Sequence, residues 1–142
     1  MKYRWYKTMS HADAQHPRGT GTNRTGHLTL VQANHNIDSA VWFRDILFGG
    51  LAWAGGPEKE RVAVSMKVEI LGQKFGSVDL DITNTPSFES DQGNRVTVLH
   101  WGTLSKHMQS TDYSGKIVTI ERNANGCFYL TIDDSPTGPA IV

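Results

Sequence analysis

Asp79-Leu80-Asp81-Ile82, then a polar run from Thr83 to Arg95, then Val96-Thr97-Val98-Leu99-His100-Trp101 is the stretch whose reading decides the fold. Both flanks alternate with period two, the pattern of strands with one buried face. The run between them is almost wholly uncharged-polar, acidic or small, and only Phe88 in it could help fill a core. A connection of this length without structure of its own is uncommon in a compact domain, and it usually carries function. The spacing therefore predicts an arm, 83–95, projecting from two well-marked strands.

A second stretch has the same character. Ser10 to Arg24 collects His11, Asp13, Gln15, His16, Arg18, Asn23 and Arg24 around Pro17, Gly19 and Gly21, with no large apolar residue. Packing cannot be its purpose. The plainest alternative for either stretch is a solvated surface loop.

The rest of the chain reads as a β framework. Tyr3-Arg4-Trp5-Tyr6-Lys7 and Gly26–Val31 are expected strands. Ser39–Phe48 is an expected helix, capped by Asn36 or Asp38, with Trp42, Phe43, Ile46 and Leu47 on one apolar face and Gly49 or Gly50 ending it. Arg44 and Asp45 are expected on its solvated side. Arg61–Leu71, with Val62, Val64, Met66, Val68 and Ile70 alternating, is the clearest strand, turning at Gly72-Gln73 into Lys74–Ile82. Val96–Trp101 follows the arm, Gly102–Gly115 is a loop or short helical turn, and Lys116–Arg122 with Cys127–Ile132 closes the sequence as an Asn-Gly hairpin. About seven strands in sequential hairpins and one or two short helices predict a mainly β, seven-stranded open pseudobarrel with helices at its ends. Residues 1–142 read as a single domain, with 132–142 a linker or tail.

Composition narrows the function. Lys plus Arg equals Asp plus Glu at 14 each, so no global field draws the molecule to nucleic acid or membrane, and attraction must come from local clustering. Cys127 is alone, expected buried, and fits a reducing cytoplasm. No apolar run approaches a membrane span. Six histidines show no His-x-x-x-His spacing, so neither a metal nor a cofactor is expected. The acidic-x-Lys triplet of metal-dependent nucleases, the His-x-Lys of phospholipase-D-type nucleases, the Gly-x-Ser-x-Gly turn and the phosphate loop are all absent. A self-contained enzyme is not expected.

Recognition remains. Arg presents two donors to guanine O6/N7, Asn and Gln pair with adenine N6/N7, and carboxylates accept from cytosine N4. Asp13, Gln15, Arg18, Asn23 and Arg24 in the first arm, with Asn84, Glu89, Gln92, Asn94 and Arg95 in the second, concentrate these types. Lys2, Arg4, Lys7, Lys106 and His107 are candidate phosphate contacts.

The order of strand, arm from Met9-Ser10-His11-Ala12-Asp13 to Arg24, strand, apolar helix, then Gln92-Gly93-Asn94-Arg95 running into Trp101-Gly102, and Ser114-Gly115-Lys116-Ile117 opening the last hairpin, resembles a known module. It is similar to the B3-like DNA-recognition domain: the N-terminal effector-binding domain of EcoRII-type restriction endonucleases, the C-terminal domain of phospholipase-D-type enzymes such as BfiI, and the plant B3 transcription-factor domain. The resemblance implies a pseudobarrel whose N-arm (10–24) and C-arm (83–95) read double-stranded DNA in the major groove like a wrench. It adds Ser10, His11, Thr20, Ser87 and Lys106 to the expected contacts. It also implies a module without a catalytic site, serving a nuclease domain elsewhere in the same or a larger polypeptide. The family's C-arm is often strongly basic, whereas Glu89 and Asp91 here leave Arg95 as its one cation.

The rival expectation is a small β-barrel enzyme or a carbohydrate- or protein-binding module, with Trp5, Tyr6, Trp53 and Trp101 lining a pocket and the arms as lids. Core packing is the ordinary role for aromatics in half-buried strands.

Overall fold

In the computed structural model the chain is mainly β, a curled open sheet forming a half-barrel with two short helical pieces. It describes residues 3–10, 27–33, 35–38, 41–56, 58–86 and 95–135. The strands are β1 (Tyr3–Thr8), β2 (His27–Leu30), β3 (Ala54–Gly56), β4 (Lys59–Ile70), β5 (Gln73–Pro86), β6 (Arg95–His100), β7 (Ile117–Arg122) and β8 (Phe128–Asp133). The helical pieces are α1 (Trp42–Leu47) and α2 (Ser105–Ser110), the latter entered through a 3₁₀ turn at Gly102–Leu104. The sheet runs β1-β7-β8-β4-β5-β6-β2, and β3 pairs with β4 beside it.

β4 is the spine because its alternation is the longest. Val62, Val64, Met66, Val68 and Ile70 all turn inward and are buried, while Arg61, Ala63, Ser65 and Lys67 face out. Burying such a side chain contributes roughly 1.5–3 kcal/mol, so a slip by one residue, which would expose all five, is strongly disfavoured. The β4–β5 hairpin turns at Leu71 and Gly72, with φ of 47° and 84°. Positive φ at both central positions is the two-residue turn whose twist suits a hairpin. The turn thus lies one residue earlier than its sequence suggests.

Three further differences have physical causes. The sheet holds eight strands, because the connector after α1 adds the short β3. β8 pairs with β4 in parallel (Met66↔Phe128 to Ile70↔Ile132), a long-range pairing that hairpin signals do not encode. Cys127 is exposed, because it precedes β8 in the Asn123–Gly126 turn. There Asn123 Oδ1 accepts from the amides of Asn125 and Cys127.

The expected helix contracts to one π-type turn, in which the Phe48 amide donates to the Phe43 carbonyl at 2.8 Å. Its entry uses the Asp38 carbonyl, not a side-chain cap. Gly50, with φ of 77°, ends it. Phe43 and Leu47 plug the barrel, Trp42 is half-buried, and Ile46 lies exposed. Arg44 is not merely solvated: its Nε donates to Glu60 at 2.7 Å and its guanidinium lies over the Trp53 ring. From the sheet, Arg122 reaches the plug, donating to the carbonyls of Leu47 (3.2 Å) and Gly49 (2.8 Å) while lying over Phe128. No described helix is long and apolar enough to cross a membrane.

Arg122→Ala removes two charge-assisted hydrogen bonds and a cation–π contact, so urea unfolding should show a loss of about 1–3 kcal/mol. Arg122→Lys should restore only part, because an ammonium cannot serve both carbonyls in that planar geometry.

Candidate functional site

Both predicted arms spring from described roots. β1 ends beside the start of β7 (Thr8↔Ile117), and Met9 follows as a buried anchor. The Met9 amide donates to the Lys116 carbonyl, and the Gly115 amide donates back to Met9. The return strand β2 begins at His27, opposite His100. The second connection leaves from Pro86 and returns at Arg95, which are paired with each other. β4–β5 pairing stops at Glu60↔Asn84, so the β5–β6 ladder continues past the end of β4 as a two-stranded stem.

Strand directions set the roots at opposite ends. β6 enters from the second root at Arg95 and reaches the first root at His100, a separation of about 17 Å at roughly 3.4 Å per residue. The two roots therefore flank the β6–β2 edge of the half-barrel rather than lying side by side.

The predicted contact residues fall into three groups. His11, Asp13, Gln15, Arg18, Thr20, Asn23, Arg24, Ser87, Glu89, Gln92 and Asn94 lie outside the described residues. Ser10 and Lys106 are exposed, Ser10 at the first root and Lys106 on α2, just beyond the His100 end of β6. Arg95 closes the second stem through its backbone. Asn84 corrects the expectation of a base-reading side chain. It is 0 % exposed, faces the core, and accepts from the Thr97 hydroxyl at 3.2 Å. The period-two ladder runs farther than the polar sequence suggests, and position 84 falls on its inward side.

Two proposed phosphate contacts are engaged within the fold. Arg4 Nη2 donates to the buried Glu121 at 3.0 Å, and His107 Nε2 lies 2.6 Å from the Tyr113 hydroxyl with its ring against Phe75. The aromatics of the rival reading are mostly interior. Trp5 and Trp101 are 0 % exposed, and the Trp5 indole donates to the Val31 carbonyl at 2.7 Å. Trp53, half-buried, donates to the Phe48 carbonyl beneath Arg44.

A constellation that the sequence hides crosses the outer face beside the first root. Asp81, His100 and His27 are successive cross-strand neighbours on β5, β6 and β2. Arg61 on β4 binds the Asp81 carboxylate. His100 Nε2 lies 3.0 Å from the Thr83 hydroxyl, and its ring centroid is 6.0 Å from that of His27. Burial, followed by the charges of His27, Lys59 and Arg61, lowers the His100 pKa, while Asp81 opposes them. The outward alternation of Asp81 and His100 was legible, but their lateral register was not. No group of three or more metal-ligating side chains occurs among the described residues.

No family model, no curated protein and no solved structure matches this chain.

Because His100 is depressed in the fold, the unfolded chain binds its proton more readily. Stability from this group is therefore present above the ordinary histidine value of about 6.5 and is lost as pH falls through that value toward the lowered one. Thermal melts at successively lower pH should show a drop in Tm for the wild type that is smaller in His100→Gln. Parallel curves would remove His100 as the cause.

Proposed function

We propose that the chain is a sequence-specific, double-stranded DNA-recognition module of the B3-like kind, without a catalytic site of its own. In this reading it acts in the cytoplasm and directs a nuclease domain of a restriction endonuclease. The observation that carries it is the pair of strand-rooted polar connections at the two ends of one sheet edge. One root is locked by buried Met9 and the other by a stem that continues past β4.

Such roots suit a gripping device. The side chains between 10 and 24 and between 87 and 95 supply Arg, Asn, Gln, Asp and Glu, the groups that pair with base edges. Roots about 17 Å apart allow both arms to lean toward one major groove, which is about 12 Å wide. The neutral total charge suits recognition dominated by base contacts, with a small phosphate component from cations such as Lys106 beside the first root. The curled half-barrel with short helical plugs agrees with the architecture that the resemblance implies. An aromatic carbohydrate platform has less support, because Trp5 and Trp101 are enclosed in the core.

Selection from a randomised duplex library, followed by sequencing, should enrich one short motif. Arg24→Ala or Arg95→Ala should then each lose about 1–3 kcal/mol of discrimination at one base pair, while Lys106→Ala weakens all duplexes alike. If no motif is enriched, or if both arginine variants keep wild-type affinity and preference, the proposal fails.

A further inference from the structure

The edge strand β2 has four residues and pairs with β6 alone, and its first rung sets two imidazoles against each other. Around that rung stand Lys59 and Arg61 from β4, Asp81 and Thr83 from β5, and His27 itself from β2. The one carboxylate among them, Asp81, is already engaged by Arg61. A proton arriving on His100 therefore meets three neighbouring basic groups and a carboxylate whose charge is shared. Like charges directly opposite in an antiparallel pair are destabilising. His100 is held between two strands and against Thr83, whereas His27 sits at the free end of an edge strand. Relief is easiest by moving His27.

The geometry points to a proton-operated latch, in which proton uptake by the His27–His100 pair detaches the first rung of β2 from β6. The rest of the sheet stays formed, because β4, β7 and β8 carry no paired histidines and bury the larger part of the core. The latch rests on these contacts alone and does not depend on what the arms bind. Short edge elements with few buried contacts are where local opening occurs at a free energy below that of global unfolding. Histidine is the side chain whose ordinary titration range makes such a device responsive near neutrality.

The test is amide hydrogen exchange on the wild-type chain, resolved by residue and corrected for intrinsic rates, as pH is lowered through the histidine range. Protection of the β2 amides that face β6 should fall by up to about tenfold per pH unit, while β7 and β8 amides keep theirs. His27→Gln and His100→Gln should each flatten that dependence. Protection in β2 that is independent of pH, or that falls in step with β7 and β8, overturns the latch. Ring signals of the wild type decide the matter even if a variant does not fold. Two interacting imidazoles titrate anticooperatively, one spread across two steps, and two independent single-step curves would refute the coupling.

Discussion

The alternation of β4 is the constraint on which the molecule depends. Its inward residues fill the half-barrel, and both of its backbone edges are occupied, by β5 on one side and by β8 on the other. Because β8 joins in parallel, the C-terminal hairpin is fastened to the centre of the sheet rather than appended to its edge. β1 then pairs with β7 and carries the first root to one end, while β5 and β6 carry the second root to the other. A register error in β4 would displace both roots together.

The open side of the half-barrel is closed differently. No ladder joins β1 to the segment after β2 among the described residues; side chains bridge them instead. The Trp5 indole reaches the Val31 carbonyl, and His35 Nε2 lies 3.1 Å from both the amide nitrogen and the carbonyl oxygen of Tyr6. Whichever tautomer His35 holds, that nitrogen serves one of the two backbone groups, so an exposed strand edge is blunted without a further strand. Trp5 also packs edge-on against Phe43, which ties this seam to the α1 plug. The edge between the two roots is thus supported from behind by packed aromatics while its outer face remains polar.

That outer face explains how a chain with no net charge can present local polarity of both signs. Arg61 and Asp81 neutralise each other, and the histidines beside them are set by proximity rather than by composition. Groups that look unremarkable one at a time acquire meaning from lateral neighbours. Removing His100 from water favours its neutral form, and the cations around it act in the same direction.

Much of this architecture was readable before any coordinates. Period-two alternation marked β1, β4, β6, β7 and β8, because a residue's face in a strand depends only on its parity. The Asn123–Gly126 turn was readable from local hydrogen-bonding chemistry, and the two polar connections from their lack of anything to bury. The parallel β4–β8 pairing, the contraction of the helix to a single π-type turn, the inward position of Asn84 and the Asp81–His100–His27 row were decided only by tertiary structure. Each depends on which strands lie side by side and in what register. That is a property of long-range packing, and no window of neighbouring residues contains it.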